Sequence, residues 1–160
     1  MHKALDSFQQ VLIMNKEMNY KLGEANTLMG IGLIYKDQSH LDESLKYYNH
    51  ALSLYQEIGY KRGKADALGN MGVIYRRKGE LHKALDYLEQ ALLLHKEIDY
   101  KQGIAAQIGN IANIYIAKEE FDNALENLKK SLLINKEINY RRGEADDLGT
   151  IGLIYAKKIY

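Results

Sequence analysis

Asn70 and Asn110 stand 40 residues apart, each directly preceded by a glycine, Gly69 and Gly109. An asparagine amide offers both donors and an acceptor, so such a pair can hold a peptide main chain whatever its side chains. The small glycines leave room for that chain to approach. Arg76 and Arg77 add guanidinium forks able to grip a carboxylate. A plainer reading stands beside both: polar side chains solvated on an open helix face, and for the two arginines this reading comes first. Other chemistry finds little support. The five histidines are His2, His40, His50, His82 and His95, and none has another histidine and a carboxylate at metalloprotease spacing. No nucleophile has a supporting base, and no glycine-rich phosphate loop follows a strand. The expectation is no catalytic residue, no metal and no cofactor.

The elements that must position these residues follow from periodicity. Tyr35, Tyr75, Tyr115 and Tyr155 recur every 40 residues, as do Gly23, Gly63, Gly103 and Gly143 and the set Glu17, Glu57, Glu97 and Glu137. A period of this size marks a solenoid whose units bury apolar faces against their neighbours. Proline is absent, which suits helix after helix. Within one unit, Ala65, Leu68, Met71, Gly72 and Tyr75 lie on one helical face, and Leu81, Ala84, Leu85, Leu88, Ala91 and Leu92 on a second. Gly79 suits the first turn, and Asn19, Gly59, Asp99 and Asn139 suit the next as left-handed helix ends and N-caps.

Each unit is therefore read as two antiparallel helices, A then B. The expected single domain spans 1–160, with B helices over 1–18, 41–58, 81–98 and 121–138. The A helices are expected over 21–37, 61–77, 101–117 and 141–157. Gly32, Gly72, Ala112 and Gly152 in helix A, and Ser44, Ala84 and Ala124 in helix B, mark close helix approach. Tyrosines of the 35 and 20 columns are expected to fill wedges between pairs. The Glu57 column is expected to make structural ion pairs between neighbouring helices.

Composition agrees with a soluble helical domain: 46% hydrophobic, 27% charged, net charge +1, with no cysteine. Disulfides and thiolate metal sites are excluded. No like-charge block suggests nucleic acid, and no apolar run approaches the ~18 residues of a membrane span. A cytoplasmic setting is the expectation, with no nucleic-acid or membrane partner.

The small and aromatic positions resemble the tetratricopeptide repeat. Leu68, Met71-Gly72, Tyr75, Ala84, Leu88 and Ala91 carry its signature in one unit. Leu28, Ile31-Gly32, Tyr35, Ser44, Tyr48 and Ala51 match in another, and Ile108, Ile111-Ala112, Tyr115, Ala124, Leu128 and Ser131 in a third. The usual tryptophan is Leu or Ile here, and the usual closing proline is Lys16, Gln56, Lys96 or Lys136. The 40-residue period is similar to the long form in Leu-Gly-Asn-rich polarity adaptors, kinesin light chains and bacterial peptide-sensing regulators.

This resemblance implies an all-α, right-handed α-solenoid of eight helices whose A helices line a concave groove. It places Asn26, Asp66, Asp146, Asn70, Asn110, Thr150, Val73, Asn113, Arg76 and Arg77 on that groove, as candidate contacts to a protein or peptide partner. The implied function is a peptide-binding interaction scaffold. Two alternatives stay open: a structural or self-assembling spacer, and the sensor arm of a larger regulator. The chain starts at a B helix and stops after an A helix, so a fragment of a longer array is one expectation. Head-to-tail association is another, with Leu148, Ile151, Ile154 and Tyr155 meeting Leu5, Phe8 and Leu12 of a second copy.

Overall fold

A computed structural model describes residues 2–159, and these form eight helices with no strand among them. They are α1 (His2–Glu17), α2 (Lys21–Asp37), α3 (Leu41–Glu57), α4 (Lys61–Arg77), α5 (Leu81–Glu97), α6 (Lys101–Ala117), α7 (Phe121–Glu137) and α8 (Arg141–Ile159). The expected start of the first helix at Met1, and Tyr160 at the other end, lie outside the described residues.

The turns are set by single left-handed residues. Asn19, Asp99 and Asn139 have φ of 51°, 50° and 55°, and Gly59 has 69°. The intervening turns use Ser39 at 63°, Gly79 at 80° and Glu119 at 61°. The N–H after each left-handed residue reaches back to a carbonyl five residues earlier, as in Tyr60 N to Tyr55 O at 2.9 Å and Glu80 N to Tyr75 O at 3.0 Å. This closes the orphan carbonyls of the helix end. It also stops the B helices at Glu17, Glu57, Glu97 and Glu137, one residue before the expected ends. The left-handed residues are not N-caps. That place falls one residue later, to Tyr20, Tyr60 and Tyr100, none of which makes a side-chain capping bond. A residue at positive φ cannot also hold the extended conformation that an N-cap needs.

Close approach inside each pair is enforced by small residues. A Cβ on Gly72 would fall 2.7 Å from Leu88 Cγ and 3.1 Å from the Ala84 carbonyl oxygen on α5. On Gly32 it would fall 2.5 Å from the Tyr48 ring. Ser44 uses the same proximity to donate a 2.7 Å hydrogen bond to the Gly32 carbonyl. The core then runs continuously from pair to pair: Leu45 and Tyr48 of α3, Met71 and Ile74 of α4, Leu88 of α5 and Ile111 of α6 form one buried cluster. Each repeat thus buries apolar surface that it could not cover alone.

The tyrosine columns divide. Tyr75 is buried and Tyr35 is half-buried, stacked on Tyr87 and Tyr47 with ring centroids 5.1 and 5.3 Å apart. Tyr20 and Tyr60 are exposed rather than wedged in the core. Their rings instead lie over Gly23 and Gly63, where an added Cβ would come within 2.4 and 2.6 Å of Cδ1. Helix A begins at that point, so the tyrosine of its N-cap folds down over its own first turn.

The Glu57 column does form ion pairs, with the lysine that opens the A helix of the same pair: Lys21–Glu57, Lys61–Glu97 and Lys101–Glu137. The array is also curved. α2 touches α4, α4 touches α6 and α6 touches α8, whereas α3, α5 and α7 make no such mutual contact. The A helices therefore line the inner side.

Candidate functional site

A polar seam runs through the interior where each B helix ends against the A helices. Asn15 Nδ2 donates to Thr27 Oγ1 at 3.1 Å, and the Tyr55 hydroxyl donates to Asn26 Oδ1 at 2.7 Å. His95 Nε2 lies 3.5 Å from Asp66 Oδ1, and Asn135 Nδ2 donates to Asp147 Oδ2 at 2.8 Å. Asn15, Tyr55, His95 and Asn135 occupy one position of the repeat, and all four are buried. Sequence reasoning passed over this column because it varies in residue type. Its signal was available: a polar or half-polar residue recurring with period 40 beside Met14, Leu54, Leu94 and Ile134.

Side-chain size along the seam decides where space remains. The Tyr55 and His95 rings crowd Gly63 and Gly103, and the Gln107 amide lies 2.8 Å from the position of a Cβ on Gly69. Between α6, α7 and α8 one of these groups is shorter. Asn135 stands where Tyr55 and His95 have a ring and still comes within 2.6 Å of a Cβ on Gly143, but Asp147 replaces the longer glutamine. A Cβ on Gly109 would find its nearest neighbours, Asp147 Oδ1 and Ser131 Oγ, only at 3.7 Å. A cavity of about 430 Å³ opens there, bordered by Asn110, Asn113, Asn135, Asp146, Asp147 and Thr150.

Four of the residues assigned to the groove from sequence thus meet around one opening: Asn110, Asn113, Asp146 and Thr150. Asn70 sits one repeat away on α4, half-buried, and donates to the Asp66 carbonyl at 3.0 Å. Val73 and Arg76 are half-buried on the same helix, and Arg76 Nε lacks a partner. Asn26 and Asp66 are engaged by Tyr55 and His95 in the seam. Arg77 points elsewhere. Its guanidinium donates to the Lys36 carbonyl at 2.6 Å and to Ser39 Oγ at 3.0 Å, closing the end of α2. It is a structural cap there, which favours a helix-terminal cation.

The electrostatics of the seam are those of burial. Desolvation pushes the Asp147 carboxyl up, and the Asp146 charge adds to this, while the polar groups of Ser131 and Asn135 beside it oppose the rise. Desolvation likewise raises Asp66, with Arg62 opposing. Burial lowers His95, and the Arg62 charge lowers it further. Among the described residues, no three His, Asp or Glu side chains are grouped to hold a metal ion. No helix among them is long and apolar enough to cross a membrane.

Paired antiparallel helices repeated at a fixed period, with the A helices inside the curve, define an α-solenoid. The chain belongs to the tetratricopeptide repeat family: that family matches residues 23–97 and again residues 108–138. No curated protein sequence matches the chain. Solved structures with the same fold include the apo form of RapI, at TM-score 0.83 and 20% identity over 97% of this chain and 57% of that one. Aspartyl phosphate phosphatase F from Bacillus subtilis superposes at TM-score 0.82 and 14% identity, over 86% of this chain and 36% of that one. BtubC from P. vanneervenii gives TM-score 0.74 and 16% identity, over 98% and 74%. The chain thus spans little more than a third of the phosphatase.

Proposed function

We propose that the chain is a protein–protein interaction scaffold that receives an extended segment of a partner along the inner, A-helix face. The observation that carries this reading is the polar opening between α6, α7 and α8, where Asn110, Asn113 and Thr150 converge beside glycine. Main-chain recognition needs donors and acceptors together with a close approach, and asparagine beside glycine supplies both. Asn70 extends the same row to α4. Peptides selected from a random display library on the immobilised chain test the reading. The Asn70→Ala/Asn110→Ala double variant should bind them ~1–3 kcal/mol more weakly, with helicity unchanged by circular dichroism. Selected peptides that bind the double variant with full affinity would remove the groove assignment.

Self-association is the second reading, favoured by Leu148 and Tyr155, which stand exposed on α8. Its expected contact set shrinks, because Ile154 is 2% exposed within the α7–α8 core. Phe8 is also half-buried, its ring against Gly30 of α2. A mean mass that rises in light scattering over an about hundredfold concentration range, and is returned to one chain by Leu148→Glu, would support it. A constant mass would end it.

A further inference from the structure

Tyr100 and Tyr140 stand at the same position of successive repeats, each leading into an A helix. What covers their rings differs. Arg62 of α4 lays its guanidinium over Tyr100, with Cζ 4.2 Å from the ring centroid, and its Nη2 donates to the Tyr100 hydroxyl at 3.0 Å. One repeat on, the residue matching Arg62 is Gln102. It carries no charge, and its Oε1 accepts a 3.0 Å hydrogen bond from the hydroxyl of Tyr100, two residues earlier. Nothing of the kind is laid over Tyr140. A hollow of about 480 Å³ stays open there, bordered by Asp99, Tyr100, Gln102, Ile138 and Tyr140. Its charges favour a cation. Lys101, also on the wall, is paired with Glu137, and the exposed Asp99 carboxylate on the rim leaves the hollow net negative.

We infer that this hollow receives the guanidinium of an arginine side chain from a partner protein, stacked on Tyr140 as Arg62 is stacked on Tyr100. The chain itself supplies the template, because the same repeat position one unit earlier holds that group in that place. A guanidinium is planar and weakly hydrated, so its face can lie on the aromatic ring while its edge keeps its hydrogen bonds. Its N–H groups donate to the Tyr140 hydroxyl, and its charge faces Asp99. A lysine ammonium is a compact, strongly hydrated charge and fits this flat arrangement less well. The asparagine row of the groove takes no part, so the site stands or falls apart from the groove reading.

Titration of the chain with acetylated, amidated Gly-Arg-Gly, followed by nuclear magnetic resonance, tests it. The backbone amide signals of Asp99, Gln102 and Tyr140 should shift and saturate. The matching citrulline peptide, which keeps the shape without the charge, should bind at least about threefold more weakly. Gln102→Arg should lay the chain's own guanidinium over Tyr140 and abolish binding. That position is exposed and copies Arg62, so the fold is retained. The Asn70→Ala/Asn110→Ala double variant should bind the arginine peptide as the unaltered chain does. Absence of the shifts, equal binding of the citrulline peptide, or arginine binding that survives Gln102→Arg would overturn the inference. Loss of binding in the asparagine double variant would also overturn it, by moving the peptide to the groove.

Discussion

The imidazole of His95 has no exposed surface, and its Nε2 lies 3.5 Å from Asp66 Oδ1 across the α4–α5 seam. Neither ring nitrogen has a full hydrogen-bond partner. Burial holds the imidazole below its ordinary pKa, and the Arg62 charge on α4 lowers it further. The Tyr100 ring closes the other side, with centroids 5.4 Å apart. The imidazole is therefore held neutral.

Stability should consequently depend on pH. His95 has a folded pKa below its ordinary 6.5, so the unfolded chain binds its proton more readily. Its contribution is present above the unfolded pKa and is lost as pH falls from there through the lowered folded value. Asp66, raised by burial, acts in the opposite sense, its protonation favouring the fold as pH falls through its own raised value. Urea denaturation between about pH 7.5 and 5.5 should show falling stability. His95→Tyr, which copies Tyr55 at the same position of the repeat, should flatten that slope. An unchanged slope would assign the effect to another group.

One position of the repeat offers opposite outcomes for the same substitution. Gly72→Ala forces a Cβ into Leu88 and the Ala84 carbonyl, so it should destabilise by ~1–3 kcal/mol despite the gain in helix propensity. Gly152→Ala meets nothing within 4 Å and should stabilise by up to about 1 kcal/mol. Chemical denaturation of the two variants checks both signs. Equal effects would mean that Gly72 does not face α5 at close range.

The ion-pair column should matter little. Lys61 and Glu97 meet at 2.5 Å, but both side chains are about half-exposed to solvent. Lys61→Met should cost less than about 1 kcal/mol, and the cost should shrink further in high salt. A larger, salt-resistant loss in thermal melts would show a packing role for the lysine stem.

Arg77→Met should loosen the end of α2 rather than weaken partner binding. Its guanidinium bonds the Lys36 carbonyl and Ser39, both in or just after that helix end. Faster amide exchange around residues 36–40, with peptide affinity unchanged, is the expected pattern. A selective loss of affinity would return Arg77 to the groove.

Sequence alone determined the repeat, its helix pairs and the small residues at their crossings. Those features depend on local conformation and on a pattern repeated four times. Turn glycines and asparagines report positive φ, and Gly72 opposite Leu88 reports close approach wherever the helices pair. The inner face was also legible, because periodicity and family resemblance together put Asn70 and Asn110 in one row. Only the tertiary structure decided which members of that row meet. Asn110, Asn113, Asp146 and Thr150 share an opening where Asp147, unlike Gln107 one repeat earlier, is too short to reach the glycine opposite it. Arg77 turns away from the groove because its guanidinium reaches one repeat backwards to the Lys36 carbonyl, which also accepts the Ser39 N–H, and to Ser39 Oγ. The polar seam itself hid in a column of four different residue types, united only by what each faces across the helix pair. Such pairings are contacts between elements, and no single helix carries them.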